Sequence, residues 1–261
     1  MLAAGLKGEF APGRFIAFIV GTSLVIACGC VINNYIDRGL DRHMARTKHR
    51  ALVSGKIPSV NAVVYGVALG LIGFWLLLAF TNRLTAGLGA LGLFFYLVMY
   101  SFWKRRSWLG TAVGSVSGAT PITAGYTAVT GRVDSAAVIL FLTMVCWQMP
   151  HFYAIAMYRL KDYRAAGLPV LPVKYGFRRT KIELLIYVAA FTAMAAMLTI
   201  RHYTGYIYMA VMLTLGLYWL QEGIAGFGAA DETKWARRMF FLSLIALLVF
   251  CVSLSLGALL P

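Results

Sequence analysis

The chain has 261 residues, 61% hydrophobic and only 13% charged, with a mean hydropathy of +0.77 and a formal net charge of +15. A soluble domain carries about 25% charged residues, so the composition excludes a soluble globular fold. The positive charge would suit a nucleic-acid binder, but its placement along the chain argues against that partner.

Uncharged, mostly apolar runs cover 15–32, 57–82, 84–103, 107–131, 135–158, 184–200, 203–221 and 239–261. A bilayer core of about 30 Å needs about 20 helical residues, and the eight runs fit that window. Barrel strands alternate over about 10 residues, which these runs do not. The expected fold class is therefore all-α: a polytopic transmembrane bundle with eight helices visible, forming a single domain over 1–261.

As the first run leaves the membrane it reads Asn33-Asn34-Tyr35-Ile36-Asp37-Arg38-Gly39-Leu40-Asp41-Arg42. Asn33, Asp37 and Asp41 are spaced by four, so a continued helix places them on one face. Three oxygen-bearing side chains in a row suit a hard cation such as Mg²⁺, which is held by one or two carboxylates plus substrate phosphates. Arg38, Arg42 and Arg46 repeat the spacing one position on, and Lys48 and Arg50 follow. A carboxylate row beside a basic row matches a metal-bridged diphosphate, because Arg takes phosphate oxygens bidentately. The competing reading is a solvated helix end with ion pairs. It leaves Asp37 and Asp41 as a like-charge pair, and polar groups near membrane depth are costly.

Lys104-Arg105-Arg106 reads first as a topology anchor and second as a phosphate contact. Tyr96, Tyr100, Trp103 and Trp108 read as an interfacial aromatic belt, with lining a cavity and stabilising a carbocation as the alternative. The fifth run carries Trp147-Gln148-Met149-Pro150-His151-Phe152-Tyr153 and leads into Arg159-Leu160-Lys161-Asp162-Tyr163-Arg164. Pro150 removes a backbone bond and should kink the helix. His151 beside it can ligate a metal or bond a freed carbonyl. Asp162 among Arg159, Lys161 and Arg164 repeats the acid-and-base mixture of the first site at the same membrane face. Asp231-Glu232 reads as a cap for the last helix. Cys28, Cys30, Cys146 and Cys251 all fall inside apolar runs and read as small buried hydrophobes.

The loops at 38–56, 104–106, 159–181 and 234–238 hold 6, 3, 7 and 3 of the 24 Lys and Arg. By the positive-inside rule these loops are cytoplasmic, and anionic headgroups account for the pI of 9.9 without a nucleic acid. Met1 then falls on the outer side. Met1–Leu6 has no basic n-region of a signal peptide, so a further helix is expected upstream of it.

N-x-x-x-D-x-x-x-D at 33–41 resembles the first aspartate-rich motif of the intramembrane prenyltransferases, the superfamily that includes 4-hydroxybenzoate polyprenyltransferase. C-G-C-V-I-N-N-Y-I-D-R at 28–38, R-T-K-H-R at 46–50 and W-Q-M-P-H-F-Y-A-I-A-M-Y-R-L-K-D-Y-R-A-A-G-L-P-V-L-P at 147–172 are similar to its protohaem IX farnesyltransferase branch. In many superfamily members the second motif is D-x-x-x-D. Here Asp162 is followed four later by Ala166, as in that branch. The resemblance implies a nine-helix family fold and transfer of farnesyl from farnesyl diphosphate to the 2-vinyl group of haem B, with water addition. It implies Asn33, Asp37, Asp41 and Asp162 as catalytic residues and Mg²⁺ held by the first three. Arg38, Arg42, Arg46, Lys48, Arg50, Arg159 and Lys161 would bind diphosphate, and Trp147 and His151 would bind haem. It further implies a bacterial inner membrane with the site facing the cytoplasm, and haem A synthase or haem-copper oxidase assembly proteins as protein partners. The other readings are a prenyltransferase for another aromatic or tetrapyrrole acceptor, a cation-coupled transporter, and a non-catalytic oxidase assembly factor.

Overall fold

A computed structural model describes residues 11–257; Met1–Leu6, expected to trail an upstream helix, lie outside the described residues, as does the end of the last apolar run. Among the described residues the regular structure is all helix, joined by turns, and each apolar run is centred on its own long helix. These are α1 Pro12–Asp41, α2 Ser59–Phe80, α3 Arg83–Trp103, α4 Gly110–Thr130, α5 Ser135–Tyr158, α7 Leu171–Ile200, α8 Tyr206–Ala225 and α9 Glu232–Leu256, with a short α6 Leu160–Ala165 between α5 and α7. Seven are long and apolar enough to cross a membrane. The eighth, α4, is equally long at 21 residues but is built of Gly, Ser, Thr and Ala, so its hydropathy is lower. Side chains such as Val60, Leu71 and Trp75 on α2 stand more than half exposed, which suits acyl chains and not water. The chain is an integral, multi-pass membrane protein.

Apolar helices gain no hydrophobic drive from pairing within lipid, so close backbone approach and van der Waals packing take its place. At Gly73 of α2 an added Cβ would lie 2.8 Å from the Gly21 carbonyl oxygen of α1. Only glycine permits that crossing, and α1 and α2 run along each other as a pair. Several helix starts are fixed by short polar side chains that accept from the first free backbone amides. Asn82 accepts from Thr85 N, Asp134 from Ala136 N and Ala137 N, and Asp231 from Thr233 N and Lys234 N, so the capping role read for Asp231 is present.

Two expectations need correction. The segment 171–181 is helical rather than loop: α7 begins at Leu171 and passes a break at Gly176, φ 75° and ψ 178°. Its charged part extends into water, where helix costs nothing in desolvation. Cys28 is buried and Cys146 partly so, but Cys30 and Cys251 are exposed. On membrane helices an exposed thiol meets lipid or a cavity, and thiols are apolar enough for either.

The two halves pack differently. Helices α5, α7, α8 and α9 enclose a dense core with Tyr153, Phe191, Tyr208, Trp219 and Phe250 at its centre. Helices α1 to α4 share only a small cluster around Phe18, Leu77 and Ala128. The interior space of the protein is therefore on the α1–α4 side.

Candidate functional site

Helix α1 continues past the membrane run to Asp41, so Asn33, Asp37 and Asp41 share one face as the spacing requires. All three line a chamber of about 420 Å³ between α1, α3, α4, α5 and the segment 163–170. Asn33 and Asp41 are buried, and each acid has a cation. Lys104 Nζ donates to Asp37 Oδ2 at 2.5 Å and to Asn33 Oδ1 at 3.2 Å, Asn33 Nδ2 donates to Asp37 Oδ2 at 3.0 Å, and Arg105 donates to Asp37 Oδ1 at 3.2 Å. Arg50 donates to Asp41 Oδ2 and to Asn34 Oδ1, both at 2.8 Å. The like-charge pair is thus resolved by three basic side chains. Burial holds the Lys104 ammonium below the usual lysine range, against the opposing pull of Asp37.

Of the seven basic side chains nominated from sequence, Arg46 and Arg50 line the chamber. The helix ends at Asp41, so the arginine row does not continue as a stripe. Arg38 turns back onto the Tyr35 carbonyl and ring, and Arg42 and Lys48 point to solvent. Arg159 and Lys161 are exposed; Arg159 reaches Asp162 at 4.0 Å. Asp162 itself sits on α6 beside the chamber, and its neighbour Tyr163 lines it.

Sequence reasoning missed Lys104 as the central cation by favouring a topology anchor. The signal was present: Tyr96, Tyr100 and Lys104 repeat the spacing of four seen at Asn33, Asp37 and Asp41. A π-helical stretch, Phe95–Tyr100, turns α3 here, as is frequent at functional sites. Tyr96 and Tyr100 stack with centroids 6.0 Å apart, and Lys104 Nζ lies 4.8 Å from the Tyr100 ring centre. Gln148 was also missed as a lining residue. It donates to the Ser115 and Met144 carbonyls, and its amide fills the space beside Gly118, where a Cβ would come within 2.0 Å of Oε1.

Trp147 and His151 share a face, as expected, but that face meets α9. Trp147 Nε1 donates to the Ser243 carbonyl at 2.7 Å, His151 Nδ1 bonds Ser243 Oγ at 2.8 Å, and the two rings stack at 4.9 Å. Phe240 closes over His151 at 5.0 Å. Neither residue lines the chamber. The freed-carbonyl role considered for His151 is replaced by this bond to Ser243.

Below the chamber lies a second cavity of about 340 Å³, almost wholly apolar, lined by α1, α3 and α4 together with Leu77 of α2. Tyr96, Ser117 and Gly118 belong to the walls of both, so a polar chamber and an apolar cavity meet at one junction. The donors Asn33, Asp37 and Asp41 are all oxygen and all on one face, which fits a hard divalent cation that also takes phosphate oxygens. Among the described residues no group of three His, Cys, Asp or Glu gathers as a metal cage.

Residues 1–245 match the model of the UbiA prenyltransferase family. The chain is 47% identical to Protoheme IX farnesyltransferase 2 of Pseudomonas paraeruginosa, over 96% of this chain and 85% of that protein. It is 45% identical to Protoheme IX farnesyltransferase of Protochlamydia amoebophila, over 95% and 88%. Among solved structures it resembles a UbiA homologue from Aeropyrum pernix, with a TM-score of 0.77, 19% identity and coverage of 96% and 92%. It also resembles a UbiA homologue from Archaeoglobus fulgidus bound to GPP and Mg²⁺, at 0.70 and 16%, over 97% and 94%.

Proposed function

This chain belongs to the UbiA prenyltransferase family, and we propose that it transfers a farnesyl group from farnesyl diphosphate to the 2-vinyl group of protohaem IX, giving haem O. The observation that carries the proposal is the junction itself: an acid-and-base chamber opening directly onto an apolar cavity, the shape of a diphosphate joined to an isoprenoid chain. The choice of farnesyl and haem is supported by the similarity, at 45–47% identity, to proteins named protoheme IX farnesyltransferase.

In this reading Arg46, Arg50 and Lys104 take the diphosphate oxygens. Asn33, Asp37 and Asp41 would hold Mg²⁺, and a bound divalent cation would supply neutralisation of the charge that grows on the leaving group. Preorganised charge aimed at developing charge is commonly the largest catalytic contribution. As the C1–O bond breaks, the allylic cation forms at the junction, where the faces of Tyr96 and Tyr100 stabilise it. The terminal vinyl carbon attacks C1, water adds to the cation left beside the macrocycle, and the proton lost from that water goes to diphosphate or solvent. Tyr163, whose phenol is kept neutral by burial, closes the chamber from the α6 side. Asp162 acts from beside the chamber through α6 rather than within it.

Residues 1–261 would belong to one transmembrane prenyltransferase domain. The charge bias of the basic loops supports a chamber facing the cytoplasm of a bacterial inner membrane, and haem A synthase or oxidase assembly proteins would receive the product. Expression in cells that make haem B, followed by pigment extraction and mass analysis, tests the proposal. A hydroxyethylfarnesyl haem that depends on this chain supports it, and unmodified haem B at full expression rejects it.

A further inference from the structure

The apolar cavity has a floor, and its position is specific. Cys30, Tyr96 and Gly118 stand at the junction, while Thr22, Leu77, Thr85 and Ala124 stand at the far end. Below them the interior is solid. Phe18 at 6% exposure, Leu77 at 1% and Ala128 at 2% pack into the small core of this half. Phe18 precedes Thr22 by one helical turn on the same face of α1.

Hydrogen bonds tie this end of the cavity together. Asn82 Nδ2 donates to the Thr127 carbonyl at 2.8 Å, Thr85 donates through N and Oγ1 to Asn82 Oδ1 at 2.8 and 3.0 Å, and Thr85 Oγ1 meets Thr127 Oγ1 at 3.2 Å. Thr85 and Thr127 are fully buried. The start of α3 is thereby tied to the end of α4 directly under the cavity, so the floor cannot slide away without leaving buried polar groups unpaired.

We propose that Phe18 and Leu77, packed with Ala86, Ala124 and Ala128 in the small core of this half, form a stop that selects a prenyl chain of three isoprene units. The inference rests on the transfer reading above and names the residues that set its chain length. From Cys30 to Thr22 is eight residues of α1, about 12 Å, and from Asn33 to Thr22 eleven residues, about 16 Å. C–C bonds of about 1.5 Å advance about 1.3 Å each in a zigzag, so the twelve-carbon backbone of a farnesyl group spans about 14 Å. It fits between those limits. A fourth isoprene unit adds four bonds and about 5 Å, almost one helical pitch, and so arrives at Phe18. A ten-carbon geranyl chain stops short and leaves the far end unfilled. Displacing or underfilling an apolar pocket by about one methylene shifts selectivity roughly 10–200-fold.

The test is competition between geranyl, farnesyl and geranylgeranyl diphosphates, read both as transfer and as displacement of an unreactive farnesyl thiolodiphosphate. Wild type should prefer farnesyl over geranylgeranyl diphosphate by tenfold or more. Phe18→Ala should raise the geranylgeranyl-to-farnesyl ratio of kcat/KM and of affinity at least tenfold. Gly89→Leu should do the opposite. Gly89 lines the cavity, and its Cβ would meet Phe74 and Leu77 at 3.5 and 3.6 Å, ordinary contact distances. The added bulk then enters the cavity and should raise the geranyl-to-farnesyl ratio tenfold, and it decides the matter if Phe18→Ala does not fold. Ratios within twofold of wild type in the folded variants, or a wild type indifferent to chain length, overturn the proposal. If no prenyl diphosphate displaces the probe from wild type, the transfer reading has failed; if chain-length ratios respond but haem is not the acceptor, only the choice of acceptor has.

Discussion

Lys104→Met separates the two roles a buried lysine can have here. The side chains of Lys104 and Asp37 are 9% and 13% exposed, and Lys104 bridges Asp37 to Asn33. Removing one partner of a buried ion pair costs about 3–5 kcal/mol when the other charge is left alone. Asp37 is not left alone, because Arg105 stays on its other oxygen at 3.2 Å. That arginine is 45% exposed and screened, so it compensates only in part. A folding cost of about 2 kcal/mol is expected, lower than the isolated-charge figure. The catalytic cost should be larger. Losing one preorganised donor to developing charge lowers kcat by about 10²–10³. Single-turnover transfer in detergent or nanodiscs reads the rate, and denaturant unfolding of the same preparation reads the stability. Lys104→Arg keeps the charge and should recover part of the rate. If Lys104→Met keeps kcat within threefold, or loses rate only in proportion to folded fraction, Lys104 is structural and its place in the chamber means nothing for chemistry.

Asp37→Asn and Asp41→Asn should each abolish transfer with membrane insertion intact, and should weaken Mg²⁺-dependent binding of the thiolodiphosphate; wild-type product from either removes the cation site. His151→Ala should leave haem affinity and the Soret band unchanged while lowering stability by about 2–4 kcal/mol, since a hydrogen bond of about 1 kcal/mol, a ring contact of about 0.5–1.5 kcal/mol and packing volume are all lost. A shifted Soret band would return His151 to the haem.

How much of this was legible follows from what each signal depends on. The helices were legible because membrane length and burial force long uncharged runs, and Asn33, Asp37 and Asp41 because one helix carries all three. Arg38, Arg42 and Arg46 do not form a stripe, because the helix ends at Asp41 and turns follow, yet Arg46 still lines the chamber. Lys104 was undervalued because its role depends on where α3 meets α1, 67 residues apart in sequence. For Trp147 and His151 the shared face was legible but not its neighbour, because α9, met through Ser243, is 92 residues on from His151. Local spacing predicts which side chains stand together; only tertiary packing decides what they face.

The uneven packing of the two halves leads to a prediction about dynamics. Side chains lining the cavity of about 340 Å³ lack partner atoms across it. That loss falls on α1 to α4, whose own core is small, while α5 and α7 to α9 close around Trp219, Phe191 and Phe250. The catalytic half is therefore the half that opens first, and a chain filling the cavity should stabilise it selectively. Hydrogen exchange on the protein in nanodiscs, with and without farnesyl thiolodiphosphate and Mg²⁺, reads this directly. Exchange should slow at least tenfold at the junction of α3 and α4 and along α1, with α7 to α9 unchanged. Uniform slowing across both halves would mean that the cavity is not what limits stability, and that the solid half does not hold the open one in place.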